Sequence, residues 1–218
     1  MFTELIDILR CSTPHDDSWL VATSTRSEAR HIIEGRLGCP VCRASYAIGN
    51  AVALFAEPPA LPSIARLDDE EAFRIAAQLY LIEAPAPILL TGTWSAAVEA
   101  LLRITPTVRM FVGDTRVPIA LDDRVSLLTL PGQRFPLASA SLRGVALDAD
   151  HATDALLTDA ARIVRAGGRL VAPADRTLDA LCWKPLVRDA ELQVAERLPS
   201  ASAPIQLRRA PSNPLFDG

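Results

Sequence analysis

Residues 37–55, LGCPVCRASYAIGNAVALF, hold the feature that most restricts what this chain can fold into: Cys39 and Cys42, two residues apart. A C-x2-C turn aims two thiolates at one point and supplies half of a tetrahedral zinc site. The other half must come from elsewhere, and Cys11 and His15 stand 23 residues upstream, a separation that zinc sites of this kind tolerate. The expected ligand set is Cys11, His15, Cys39 and Cys42. Two alternatives stay open: His31 in place of His15, or a plain reduced pair with Cys11 and His15 incidental. Otherwise His31 is expected on the exposed face of a helix. Four protein ligands leave no coordination position for a substrate, so the zinc would be structural and would stabilise a module whose own core is small.

Half of the 218 residues are apolar and 22% are charged, as in an ordered globule. The net charge is -4, and Lys184 is the only lysine. Binding nucleic acid through its phosphates needs a clustered basic face, and the sequence shows none. The lysine-poor, arginine- and alanine-rich usage suggests a GC-rich bacterial genome. The opening MFTELIDILRC carries acids where a secretory signal carries positive charge, and no run approaches a membrane span. The expected location is the cytoplasm. In that reducing compartment four cysteines are ligands sooner than disulfides.

Along the chain, apolar spacing predicts a helix over 2–10, with Thr3 as its cap, a strand at 19–23 with Trp19 in the core, and a helix over 26–34 closed by Gly35. Extended structure follows the knuckle. Three prolines in residues 57–63, EPPALPS, mark a stiff connector between a module at 1–56 and a second domain at 64–210, with 211–218 as a tail. In the second domain helices are expected at 68–83, 95–104, 153–164 and 175–190. Strands are expected at 87–91, 108–112, 125–130, 142–147 and 169–172, with 192–197 and 205–208 as a closing hairpin. The fold class is α/β: a zinc-ribbon-like module, then a Rossmann-like, mostly parallel sheet with helices on both faces.

The pattern in which a helix ends in Cys and is followed by G-x-L-x-C-P-x-C-x3-Y-x-I-x-(D/N)-x-V resembles the small zinc-ribbon proteins that activate methyltransferases. It is carried by Leu5, Leu9, Cys11, Cys39, Pro40, Cys42, Tyr46, Ile48, Asn50 and Val52. The family's usual first C-x2-C is Cys11-x3-His15 here. Residues 135–173, with Arg162, Gly167 and Gly168 in register, resemble class I S-adenosylmethionine-dependent methyltransferases. That resemblance implies cofactor binding at a glycine loop after the first strand and at an acid after the second. Gly92 and Asp114 stand at those places, but the loop reads Thr91-Gly92-Thr93-Trp94 without its acid, and Trp94 puts bulk where a nucleotide would sit.

The acid after the third strand is replaced by Leu130-Pro131, and the one before the fourth by the exposed Arg143 of Leu142-Arg143. A family member would place catalytic residues near Asp148 and Asp150; His151 beside them reads as a solvated loop histidine. Cys182 and Trp183 read as core. Phosphate loops, H-E-x-x-H helices and G-x-S-x-G elbows are absent from the sequence. The expected function is therefore a non-catalytic, methyltransferase-like protein that docks on a protein partner, a methyltransferase or another copy of itself. Residues 51–55 would serve it as the strand edge for that docking. The alternative is an active, divergent methyltransferase carrying its activator in cis.

Overall fold

The computed structural model describes residues 1–81 and 86–199. A 3-10 turn, Thr3–Ile8, opens the chain, followed by β1 (Val21–Glu28), β2 (His31–Gly38), β3 (Ser45–Gly49) and β4 (Val52–Leu54). Then come α1 (Asp69–Gln78), β5 (Ile88–Thr91), a second 3-10 turn (Gly92–Ala97), α2 (Val98–Ile104), β6 (Met110–Gly113) and β7 (Val125–Thr129). The chain continues with β8 (Leu142–Ala146), α3 (Asp154–Ile163), β9 (Val164–Pro173), β10 (Trp183–Arg188) and β11 (Leu192–Arg197).

All eleven strands form one mixed sheet in the order β1-β2-β3-β4-β7-β6-β5-β8-β9-β11-β10. Its centre, β4 to β9, is parallel and both flanks are antiparallel. The central strands are short apolar runs, as strands covered on both faces must be. Every residue of β5 and of β6 is buried. One face is covered by α1 and α2, whose Ala72, Ile75, Val98 and Leu101 pack on Ile88, Leu90, Met110 and Val112. The other is covered by α3 and by the opening segment: Phe2, Leu5 and Leu9 share a core with Leu89, Phe111, Leu128, Leu156 and Leu157. The start of the chain thus does the work of a helix on that face.

Several expected elements differ. Residues 26–34 form the β1–β2 hairpin, turning at Ala29 with φ 49°, instead of a helix. Gly35 closes no helix; it lies mid-strand beside a bulge in β1, where a Cβ would overlap the Thr23 carbonyl. His31 is accordingly buried in β2, its Nε2 3.1 Å from the Asp122 carbonyl, rather than exposed on a helix. The opening helix is a 3-10 turn of six residues whose N-cap is Phe2, so Thr3 does not cap it. Trp19 is 72% exposed and stacks under the Arg10 guanidinium instead of filling the core.

Residues 175–190 do not form a helix: 174–182 are turns and irregular backbone and 183–188 are strand, where Pro185 could not have donated the bond a helix interior needs. It sits instead on β10, an edge strand, where a missing N–H costs little. The closing hairpin is accordingly β10 with β11; residues 205–208 lie outside the described residues. The largest correction concerns residues 51–55. Their strand, β4, is no free edge: it pairs with β3 on one side and runs parallel to β7 on the other, Val52 opposite Leu127 and Leu54 opposite Thr129.

Candidate metal centre and the strand-end crevice

Cys11 follows the first 3-10 turn, and the chain then bends through Ser12-Thr13-Pro14 to His15. Cys39 and Cys42 lie on the turn that joins β2 to β3. That turn is closed by the bonds Cys39 N–H to Ala44 O and Arg43 N–H to Cys39 O, with Arg43 at φ 64°. The structure brings all four expected ligands together, their ligand atoms within 4.8 Å of one another. Cys11 Sγ and Cys42 Sγ are 3.6 Å apart, and Cys39 Sγ and His15 Nε2 are 3.5 Å apart. Zinc–sulfur bonds of about 2.3 Å at tetrahedral angles put sulfurs about 3.8 Å apart, so the spacing fits a tetrahedral divalent ion. His31 is not in this group.

The four side chains differ in how readily they take the ligating form: Cys11 and Cys39 are shifted toward it, His15 and Cys42 away from it. His15 Nδ1 lies 2.5 Å from the Asp16 carbonyl, which places a proton on that nitrogen; the Asp16 carbonyl and the Cys11 thiol raise the His15 pKa, so Nε2 has to give up a proton before it can ligate a metal. Burial alone would raise the Cys39 thiol, but the Cys42 and Val41 N–H groups and the Ser18 hydroxyl outweigh it and bring it down to about 6. Cys11 is likewise lowered: burial opposes its ionisation, and the Tyr46 and Thr13 hydroxyls overcome that. At Cys42 the Ala44 N–H favours the thiolate, but burial and the two neighbouring thiols push the thiol up. Three sulfurs this close cannot all ionise without a cation among them.

The second cluster lies at the carboxyl ends of β5, β6 and β8. The chain runs outward from β5 to β6 and β7, then returns to β8 on its other side. In open α/β sheets ligands sit at such a reversal. Here the place is taken by the protein. His151 is buried, not solvated, with Nδ1 2.5 Å from Asp148 Oδ1 and Nε2 2.9 Å from Asp114 Oδ2. Asp114 Oδ1 also accepts from the Leu130 N–H, at 3.3 Å. Asp148 Oδ2 accepts the Thr93 N–H at 3.0 Å, and its other oxygen accepts from the Thr91 hydroxyl.

Gly92, at φ 50°, is required because a Cβ there would overlap the Asp148 carboxylate. Burial opposes a charge on His151, but hydrogen bonds to Asp114 and Asp148 prevail and raise its pKa to about 9. Asp148 is lowered, burial being outweighed by His151 and the Thr93 N–H. At neutral pH the ring is an imidazolium with both N–H groups given to carboxylates. It has no lone pair to act as a base.

Trp94 does not fill this crevice. It packs on the α1–α2 side and lines a separate cavity of about 390 Å³ with Ile64, Leu67, Ile75 and Leu192. Asp150 pairs with Arg116 at the surface. Arg143 is half-buried, donating to the Tyr80 carbonyl and stacking on the Tyr80 ring. Trp183 is buried and Cys182 half-buried. Sequence reasoning missed the Asp114–His151–Asp148 clamp. The only local signal was an acid three residues before a histidine at a strand end.

No family profile matches the chain, and no curated protein matches it significantly. Among solved structures it is similar to the MycE methyltransferase of the mycinamycin biosynthetic pathway: 10% identity over 66% of this chain and 53% of that one, TM-score 0.46. It is also similar to geranyl diphosphate C-methyltransferase from Streptomyces coelicolor, at 15% identity over 49% and 44%, TM-score 0.39. A third likeness is to a complex of the Haloferax volcanii Trm112 methyltransferase activator with a methyltransferase, at 21% identity over 48% and 56%, TM-score 0.35. These likenesses are partial, and the chain spans about half the length of the solved chains it matches. No helix among the described residues is long and apolar enough to cross a membrane.

Proposed function

We propose that this chain is a non-catalytic protein on a methyltransferase-like α/β fold, with a structural zinc in its N-terminal module, and that it works by binding another protein. The observation that carries the reading is the Asp114–His151–Asp148 clamp. The groups that would greet a ribose or a methyl donor, Asp114, Gly92 and the Thr93 N–H, are all engaged by the protein's own side chains. Support for the fold comes from the sheet itself, with β5, the first strand after α1, inside the parallel region between β6 and β8, and an antiparallel pair added beyond β9. Support for zinc comes from the ligand spacing. Because β4 is already paired on both sides, a partner has to dock elsewhere than on residues 51–55.

Calorimetric titration with S-adenosylmethionine tests the reading. No binding at millimolar ligand is expected, and a low-micromolar Kd would overturn it.

One observation favours a second reading, an active methyltransferase with its activator in cis. The parallel β4–β7 pair joins the metal module directly to the sheet that would carry the cofactor. Cofactor retained through purification would favour this reading; a stable co-purifying protein would favour the first.

A further inference from the structure

Tyr46 stands on β3 opposite Leu37 of β2, and its ring packs on Phe55 with centroids 4.6 Å apart. Its hydroxyl reaches the first ligand arm. It lies 3.2 Å from Cys11 Sγ, 3.3 Å from Ser12 N, 3.1 Å from Ser12 Oγ and 3.4 Å from Thr13 Oγ1. A phenol has one hydrogen to give and two lone pairs. The Ser12 N–H and hydroxyl both donate to this oxygen, filling the lone pairs. The phenolic hydrogen is then left for the Cys11 sulfur at 3.2 Å or the Thr13 hydroxyl at 3.4 Å; a thiolate is the nearer and, being charged, the stronger acceptor, and the Thr13 hydroxyl can donate its own hydrogen.

This matters because the arm is awkward. Cys11 and His15 are separated by three residues, with Pro14 between them, and Cys11 is held by its N–H to Ser18 O and by the Thr13 N–H on its sulfur, with no turn of its own like that of the knuckle. The second arm is held by its own turn and needs no such help. We propose that Tyr46 is the positioning residue of the metal centre. Its hydroxyl gathers the Cys11–Ser12–Thr13 backbone and donates to the Cys11 thiolate, so that the C-x3-H arm closes on the same ion as the Cys39–Cys42 knuckle. A donor to a ligating sulfur also draws charge from it, and partners of metal ligands of this kind are worth about 10–100-fold in affinity. The inference rests on the reading that the four ligands hold zinc.

The test uses the full chain with Tyr46→Phe, which keeps the ring on Phe55 and removes only the hydroxyl. Zinc affinity is measured by competition with a chromophoric chelator, and the sulfur-to-metal charge-transfer band after cobalt substitution reports the sulfurs directly. The expected result is a 10–100-fold weaker affinity and a shifted band. Phe55→Leu, which loosens the ring without touching the hydroxyl, should lower stability and leave the band in place. Unchanged affinity and band in Tyr46→Phe would overturn the role of Tyr46 while the metal site stands. A wild-type chain that takes up no zinc or cobalt would overturn the metal reading, and this inference with it.

Discussion

The metal corner and the strand-end crevice are both dense clusters of ionisable side chains, and they are solved in opposite ways. At the corner, three thiols converge with the His15 ring, and no carboxylate or arginine belongs to the group. In the crevice, His151 stands between two carboxylates and the cluster is already paired. The first arrangement could hold a metal ion. The second has filled its own vacancy. A place in a fold where ligands usually sit is therefore no argument for a ligand until the hydrogen bonds of its side chains have been followed to their ends.

Removing the metal should have the largest effect. Chelation, or Cys39→Ser, should take zinc from one per chain to none and abolish amide-exchange protection in β2 and β3, since ligand-binding energy in such sites is folding energy. Protection should also fall in β7, which holds β4. Loss confined to residues 1–56 would show instead that the module and the rest of the sheet are separable.

Next comes His151→Ala, which leaves Asp114 and Asp148 buried without their cation. Breaking a buried pair from one side costs about 3–5 kcal/mol, read as a shift in the urea midpoint. A neutral result would mean the crevice is wet and open, and the contrast with the corner would disappear.

The pH dependence of stability should be smaller. The His151 pKa is raised from 6.5 to about 9. Its contribution is therefore complete below about pH 6.5 and lost as pH rises through about 9, at most about 3 kcal/mol before solvent screening. The measurement is the urea midpoint against pH, in wild type and in His151→Gln; the same slope in both would remove His151 as its source.

The smallest change expected is from Gly92→Ala. The left-handed φ and the overlap with Asp148 should cost about 1–3 kcal/mol. A gain in stability would show that the Asp148 carboxylate is not seated there.

What the sequence disclosed follows from the range of the interactions. The grouping of Cys11, His15, Cys39 and Cys42 was legible because two short spacings define it, and the parallel strands because each is an apolar run bounded by turn residues. The β1–β2 hairpin was not. Its residues include good helix formers, and pairing across a solvent-exposed hairpin overrode that propensity. Residues 183–188 were misread because helical composition hid what Pro185 forbids. The seam at β4 and the clamp at His151 were least legible. Each joins positions that lie far apart along the chain, 52 with 127 and 114 with 151.

The opening segment also has a bearing on the order in which the molecule can form. Phe2 donates its N–H to Ser126 Oγ, Leu9 bridges to Leu137, and Met1 donates to the carbonyls of Ile32 and Ala51. A growing chain has made the Cys39–Cys42 turn long before it has made residues 125–137. Until they arrive, Phe2, Leu5 and Leu9 have only β2 to β4 to lie against, and the outer edge of β4 is unpaired. Contacts of such long range are slow to close and leave apolar surface exposed meanwhile. The Cys11–His15–Cys39–Cys42 cluster would then be the part of the N-terminal region able to assemble early and, with a metal ion bound, to hold β2 and β3 in register while the other face of the molecule is still being synthesised.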